Sequence, residues 1–234
     1  MIDLHSHLLP AIDDGVDTFE ESLAILKELR KHGIDEIFLT PHYISDTIYD
    51  SPRSDNLKLL SELKNATVEE RIDIELHIGN EVYVSPDVSR LLQRKVLSTL
   101  GDSKYLLIEL PMSGVFDGYE DIFQNLVAEG YTVILAHPER YISIQKDFSI
   151  LERLTSLGVL FQSNLGSIVG QYGRHAQKTV KKMAKKDYIF AFGTDTHRLR
   201  DFSEIDEAIL RLKKIYGEAK LGVLLEDNPY KILK

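Results

Sequence analysis

The sequence contains no cysteine. This absence excludes disulfide bonds, zinc sites built from thiolates and every reaction that uses a cysteine nucleophile. The chain also lacks a run of about 18 apolar residues, the minimum for a transmembrane helix, and its first residues do not form a basic stretch followed by an apolar one, as a secretion signal would. We therefore expect a cytoplasmic protein with no transmembrane segment.

Positive charge is also scarce. The chain has 28 Lys and Arg against 37 Asp and Glu, which gives a formal net charge of -9. A protein whose main role is to hold nucleic acid needs a basic surface for the phosphate backbone. The acidic balance therefore argues against a nucleic-acid partner.

Apolar runs of strand length alternate along the chain with stretches of helical periodicity. This alternation predicts seven βα units with a parallel sheet, and the length fits one barrel domain spanning residues 1–234. The predicted strands span residues 2–5, 36–40, 74–79, 105–110, 132–136, 160–164 and 188–192. The predicted helices span residues 18–32, 54–65, 86–95, 119–129, 148–157, 174–186 and 203–216.

Histidines and carboxylates lie at or just after the carboxyl ends of six of these seven strands. In a (β/α) barrel those ends converge on one face, where such barrels place their chemistry. Residues i and i+2 of a strand point to the same side, so a pair with this spacing can present two ligands together. The residues are His5, His7, His42, Glu81, Glu109, His137, Asp195 and His197.

A mixed set of imidazole and carboxylate ligands without sulfur is typical of manganese, iron or zinc, of which we place manganese first. A single such residue at a strand end is more often an ordinary polar or capping group. Several carboxylates close together without cations would be electrostatically costly, and the set therefore predicts a metal centre. For His32, His77 and His175, we expect a structural role or exposure to solvent.

Six segments of the sequence resemble, in order and spacing, the PHP (polymerase and histidinol phosphatase) superfamily. The segments are HSHLLPAIDDG, LTPHY, GNEVY, LIELP, LAHPERY and GTDTH. More closely, they resemble its bacterial manganese-dependent protein-tyrosine phosphatases from capsule and exopolysaccharide loci, the CpsB/CapC type. The resemblance covers nearly the whole chain. It implies a distorted (β/α)7 barrel with up to three divalent metals, in which a metal-bound hydroxide hydrolyses phosphotyrosine.

The resemblance also implies three groups of metal ligands, with one glutamate shared by two of them. The first group is His5, His7, Glu81 and Asp195, the second is Glu81, Glu109 and His137, and the third is His42, His197 and an aspartate of the DDG turn. We assign Asp14 to the third group and keep Asp13 as the alternative, because the sequence does not show which of two adjacent carboxylates points inward.

Arginines that bind the phosphoryl group are a further implication of the resemblance. Arg140 in HPERY matches one of them, and a planar guanidinium can hold two phosphate oxygens at once. A second arginine usually follows the last metal ligand, but the segment THRLRDFSE lacks the GRPP-like sequence of many members. We predict Arg200 for this role, with a plain surface charge as the alternative. If metal occupancy is partial, either His42 or His197 could deliver a proton to the leaving group.

By the same resemblance, the substrate is the phosphorylated tyrosine-rich tail of a cytoplasmic bacterial kinase that controls polysaccharide export. Residues 43–53 are predicted to form a long loop over the site. Its Tyr43 and Tyr49 would contact the phosphotyrosine ring, with packing within the loop as the alternative. The sequence leaves the oligomeric state open.

Three other functions compete with this prediction. Two are enzymes of the same superfamily, a histidinol-phosphate phosphatase and a PHP-type nuclease, and the third is a non-catalytic barrel that binds a partner. The short chain and the segment HLLPAIDDG favour the tyrosine phosphatase over the first. The acidic balance weighs against a nuclease that binds duplexes.

Overall fold

Short parallel strands form the wall of a barrel in the computed structural model, which describes residues 1–200 and 202–234. In this part of the chain, they are β1 (Ile2–Ser6), β2 (Glu36–Leu39), β3 (His42–Tyr43), β4 (Glu75–Ile78), β5 (Glu81–Tyr83), β6 (Tyr105–Glu109), β7 (Thr132–Leu135), β8 (Leu160–Asn164) and β9 (Ala191–Gly193).

These strands occupy seven positions around the barrel, as predicted. Strands β2 and β3 together fill one of these positions, with a break at Pro41, which has no N–H group to donate to the sheet. Strands β4 and β5 together fill another position. The first sheet has the order β1-β2-β4, and the second has the order β3-β5-β6-β7-β8-β9. Two backbone hydrogen bonds close the barrel, from Asp195 N to His5 O (2.8 Å) and from His7 N to Thr196 O (2.9 Å). The fold is a distorted (β/α)7 barrel.

Helices pack around the outside of this wall. They are α1 (Phe19–Lys31), α2 (Arg53–Glu69), α3 (Val88–Gln93), α4 (Tyr119–Ala128), α5 (Ile142–Lys146), α6 (Ser149–Ser156), α7 (Leu165–Val169), α8 (Gly173–Lys185), α9 (Ser203–Gly222) and α10 (Asn228–Ile232). The side chain of Thr18 caps α1 by accepting from Glu21 N. Within the described residues, no helix has both the length and the apolar composition that a membrane crossing requires.

The inside of the barrel is filled from its amino end. Leu4, Phe38, Leu107 and Ile134 pack there against Ile232 of α10. Because side chains alternate along a strand, the residue two positions after an inward-facing one also faces inward. On β6, Glu109 follows Leu107 on the inward-facing side, so a carboxylate replaces the apolar layer at the carboxyl end of this strand.

Two details of the predicted elements were wrong. The seventh strand begins at Ala191 and not at residue 188, because Tyr188 N donates to Met183 O and so belongs to the end of α8. The short helices α5, α7 and α10 were not predicted, because five residues are too few to show a helical period.

Candidate metal centre

The nine predicted ligands come together at the carboxyl end of the barrel. Strand β1 and the residue after it carry His5 and His7, β3 and β5 begin with His42 and Glu81, and β6 ends with Glu109. The other four lie in the loops that follow β1, β7 and β9: Asp14, His137, Asp195 and His197. Each of the nine has a side-chain nitrogen or oxygen within 4.0 Å of another member of the set.

Glu81 lies at the centre of the cluster. Its Oε2 is 3.1 Å from His42 Nδ1, 3.2 Å from His5 Nε2 and 3.3 Å from His7 Nε2. Nevertheless, Glu81 Oε2 and His42 Nδ1 are buried without a hydrogen-bond partner. Ring nitrogens that surround a carboxylate oxygen without making a hydrogen bond to it form a donor set suited to a divalent cation. The residues present therefore fit a metal.

Three overlapping groups in this cluster have ligand atoms within 4.8 Å of one another. They are His5, His7 and Glu81; His42, Glu81 and Glu109; and His7, Asp14, His42 and His197. The grouping differs in detail from the predicted one, because His7 and His42 each face two groups. His137 Nε2 lies 2.8 Å from Glu81 Oε1 and 4.0 Å from Glu109 Oε1.

The two aspartates of the DDG turn point in different directions. Asp14 Oδ1 lies 3.3 Å from His197 Nε2 and 3.5 Å from His42 Nε2, on the side of the candidate ligands. Asp13 Oδ2 instead accepts hydrogen bonds from His7 Nδ1 at 2.7 Å and from His42 N at 2.9 Å. This hydrogen bond directs the Nδ1 proton of His7 toward Asp13 and turns Nε2 toward the cluster. The geometry thus favours Asp14 over Asp13 as a ligand.

The electrostatics of the cluster favour cations. Burial, together with the nearby Glu81 and Asp195, raises the pKa of Glu109 to about 9. Burial opposes a charge on His5, but Glu81 and Asp195 outweigh it and raise the pKa of this imidazole. Without a cation, Glu109 therefore retains its proton at neutral pH, because burial and the neighbouring carboxylates both disfavour its charge, and divalent cations would offset both effects.

Two functional side chains on β8 were missed by the sequence analysis. Gln162 Oε1 accepts from His5 Nδ1 at 3.1 Å and from His137 N at 3.3 Å, and Gln162 Nε2 donates to Asn164 Oδ1 at 2.9 Å. Asn164 Nδ2 in turn donates to Asp195 Oδ2 at 2.7 Å. The only signal was two amides at i and i+2 on the one strand whose end offers no ionisable ligand.

Arg140 lies beside the cluster at the end of a 3-10 turn (Pro138–Arg140) that follows His137. Its Nη1 donates to Asp195 Oδ2 at 2.7 Å, and its guanidinium lies 4.5 Å from the centre of the Tyr172 ring. Arg200 has a different environment, since its Nη2 forms an ion pair with Glu204 Oε1 at 3.0 Å.

The two tyrosines of the predicted loop, residues 43–53, differ in their exposure, and the structure places Tyr43 in β3. Tyr43 is buried in the hydrophobic core, so packing within the fold is the correct alternative for this residue. Tyr49 is half-buried, with its ring centre 6.1 Å from that of His42. Only Tyr49 is thus placed to meet a ligand at the cluster.

The histidines outside the cluster have the environments predicted for them. His32 Nδ1 lies 3.1 Å from Asp206, and His175 is exposed on α8. His77 Nε2 lies 2.9 Å from Glu36 Oε2 at the start of β2, and His77 belongs to none of the groups of the cluster.

A parallel barrel with such a cluster at the carboxyl ends of its strands is the architecture of metal-dependent hydrolases. Within that class, the chain belongs to the capsular polysaccharide synthesis family CpsB/CapC, whose model matches residues 1–234. The tyrosine-protein phosphatase YwqE of Bacillus subtilis (strain 168) is 31% identical over 238 residues, which cover 100% of this chain and 92% of that protein.

A further relative and a solved structure are similar to this chain over nearly their whole length. The tyrosine-protein phosphatase CpsB of Streptococcus pneumoniae is 28% identical over 239 residues, or 100% of this chain and 98% of that one. A chain from the crystal structures of YwqE from Bacillus subtilis and CpsB from Streptococcus pneumoniae, described as unique metal-dependent tyrosine phosphatases, superposes with a TM-score of 0.93. It is 29% identical, and the match covers 100% of this chain and 94% of that chain.

Proposed function

We propose that this protein is a metal-dependent protein-tyrosine phosphatase, which hydrolyses the phosphate monoester of phosphotyrosine. The observation that carries the proposal is the cluster around Glu81, where histidine nitrogens and carboxylates converge beside Arg140. Tyrosine-protein phosphatases that match this chain over nearly its whole length support the choice of reaction. The whole of residues 1–234 would act as one domain.

The nine residues of the cluster would hold up to three divalent cations, with manganese as our first choice and iron or zinc as alternatives. We assign one cation to His5, His7, Glu81 and Asp195, a second to Glu81, Glu109 and His137, and a third to Asp14, His42 and His197. When bound, these cations would supply a nucleophile by lowering the pKa of water and would neutralise the charge of the phosphate oxygens.

Arg140 would bind the phosphoryl group. Asp195 accepts one N–H of its guanidinium and fixes its orientation, which leaves further donors of the same planar group for phosphate oxygens. Arg200 is our proposal for a second phosphate-binding group. Burial and Asp195 raise the pKa of Tyr172, whereas Arg140 and Arg200 both oppose that rise, so the charges of both arginines act on this residue.

The leaving group makes modest demands on the protein. A tyrosine phenol has a pKa of about 10, far below that of an alkyl alcohol, so the reaction needs only a weak proton donor. Where the third cation is absent, we assign this role to His42 or His197, whose side chains are 13% and 29% exposed and therefore border the solvent side of the cluster. Tyr49 is close enough to His42 to contact the ring of the substrate.

The substrate would be a phosphotyrosine-containing protein, and we propose the tail of a cytoplasmic bacterial tyrosine kinase that controls capsular polysaccharide synthesis. The family description supports the link to the capsule. A flexible tail suits a site at the open end of a barrel, where a folded substrate would meet the surrounding loops. The enzyme would then act in the cytoplasm.

Phosphate release from a phosphotyrosine peptide tests this proposal. Metal-stripped protein reloaded with manganese should release phosphate, while a chelated sample and the Glu81→Ala variant should not; His77→Ala serves as a control outside the cluster. Histidinol phosphate is the competing substrate. Turnover of histidinol phosphate with none of the peptide would overturn the assignment in favour of a histidinol-phosphate phosphatase.

A further inference from the structure

Helix α8 concentrates positive charge in a chain whose formal net charge is -9. Residues 173–186 contain six Lys and Arg and no Asp or Glu. The exposed residues His175, Lys178, Lys182 and Lys185 follow one another at intervals of three or four, so they lie on one face of the helix. At about 1.5 Å per residue, this basic face is roughly 15 Å long.

A groove of about 200 Å³ borders the basic face. We call it the α5–α8 groove, because its lining includes Gln145, Lys146, Phe148, His175, Lys178 and Lys182. The ammonium group of Lys182 lies 3.9 Å from the centre of the Phe148 ring. Cations beside an aromatic ring suit an anionic side chain on a peptide, since charge-assisted hydrogen bonds hold the anion while the ring contacts the apolar part.

The cations of the groove are free to bind such a group. Lys146, Lys178 and Lys182 form no ion pair with any residue in the described ranges 1–200 and 202–234. By contrast, Lys186, just beyond α8, is paired with Glu152 at 3.1 Å. An anion that enters the groove would therefore not have to displace a carboxylate of the protein.

Two segments that border the groove contact Arg140. Gln145 Nε2 donates to the backbone oxygens of Glu139, at 2.9 Å, and Arg140, at 3.3 Å. Tyr172, which directly precedes α8, lies against the guanidinium of Arg140. The segments that carry Gln145 and Tyr172 thus border the groove and also contact Arg140. A polypeptide whose phosphotyrosine binds Arg140 would therefore lie close to His175, where the basic face begins.

We infer that the α5–α8 groove is a second, non-catalytic anion-binding site, which takes a carboxylate or a further phosphotyrosine of the same polypeptide substrate. This inference rests on the proposed phosphatase function. The groove would make the enzyme prefer polyanionic segments, because a positive surface beside the site speeds the encounter with them. At about 3.3 Å per residue of extended chain, the basic face matches a stretch of four or five residues.

Steady-state kinetics on matched peptides test the inference. Three peptides share one sequence. The first carries a single phosphotyrosine, the second adds another phosphotyrosine within five residues, and the third adds two glutamates within five residues. Phenyl phosphate serves as a substrate too small to reach the groove. The double substitution Lys178→Glu with Lys182→Glu is compared with Lys58→Glu and Lys64→Glu, the same change of charge on exposed residues of α2.

For the groove variant, we expect KM for both polyanionic peptides to rise roughly threefold to tenfold, the scale of a few exposed ion pairs. The kcat values and the turnover of phenyl phosphate should not change, and added salt should reduce the difference between variant and wild type. Neutral substitutions, Lys178→Gln with Lys182→Gln, should give a smaller rise.

Two results would overturn the inference. One is an equal rise of KM in the α2 control, which would mean that net charge alone acts. The other is an unchanged KM combined with weaker binding to phosphatidylglycerol vesicles, which would assign the basic face to a membrane surface. If the manganese-reloaded wild type hydrolyses neither the peptides nor phenyl phosphate, the proposed function fails. Fluorescence anisotropy of the doubly phosphorylated peptide, with the groove variant and the α2 control, then decides whether the groove binds anions.

Discussion

Gln162 is the residue whose substitution tests most directly how the cluster is organised. Its side chain accepts from His5 Nδ1 and His137 N and donates to Asn164 Oδ1. The bond to His5 fixes the Nδ1 proton of the imidazole, so that Nε2 faces Glu81. Gln162→Leu keeps the approximate volume of the side chain and removes all three hydrogen bonds.

The expected effect follows from the groups that lose their partners. Loss of an outer partner of a metal-ligating histidine typically lowers metal affinity by about 10-fold to 100-fold, or roughly 1.4 to 2.8 kcal/mol. The N–H of His137 and the Oδ1 of Asn164 would also be buried without a partner, which costs about 1 to 3 kcal/mol for each group. A total of about 4 kcal/mol, the middle of the range for two groups, corresponds to a fall in Tm of roughly 8 to 16 °C for a chain of this size.

Two measurements check this expectation. Competition with a metal-binding dye gives the affinity for manganese, and thermal unfolding of the metal-free protein gives the Tm. Ser163→Ala is the matched control, because Ser163 is buried on the same strand and its Oγ has no hydrogen-bond partner. A variant with a lowered Tm but wild-type metal affinity would refute the orienting role, and Gln162 would then only support the packing of the strand.

Three further perturbations have defined outcomes. Removal of metal by a chelator should abolish phosphotyrosine hydrolysis and lower the Tm, because cations at 1,000 times their Kd stabilise the fold by about 4 kcal/mol and offset the burial and the repulsion that raise the pKa of Glu109. Activity that survives in a sample shown to be metal-free by elemental analysis would contradict the mechanism. Arg140→Lys should lower kcat/KM for a phosphotyrosine peptide by about 100-fold with an unchanged metal content, since an ammonium group cannot hold two oxygens in one plane; wild-type kcat/KM would exclude the role in phosphate binding. Asp14→Ala should remove about one metal equivalent, whereas Asp13→Asn should keep the number of metals and weaken their binding about 10-fold or more; the opposite pattern would make Asp13 the ligand.

The positions of the candidate ligands were predictable because two simple periodicities determine them. The alternation of apolar runs and helical stretches predicted a parallel barrel, and the carboxyl ends of parallel strands meet whatever their separation in sequence. Glu109 and His137 could therefore be placed together from the ends of their strands alone, and they lie within reach of one another through Glu81. The i and i+2 spacing of His5 and His7 likewise predicted that both imidazoles face the same side.

Other features had no periodic signal. The two aspartates of the DDG turn lie in a loop, where neither strand nor helix geometry determines which side chain points inward. Tyr43 stands in a polar stretch without periodicity, which predicted a loop. It nevertheless packs in the core, because the strand position that begins with β2 continues as β3 after Pro41.

The sequence by itself determined the barrel, the end of the barrel that carries the chemistry, and the side chains that meet there, because all three follow from the period of the apolar residues and from the chemistry of the ligands. Only the tertiary structure decided how those side chains are oriented. The amides of Gln162 and Asn164 have no charge to distinguish them in sequence, and the α5–α8 groove joins residues from two helices. Hydrogen-bond direction and surface shape depend on contacts between distant segments, which a pattern along one chain does not encode.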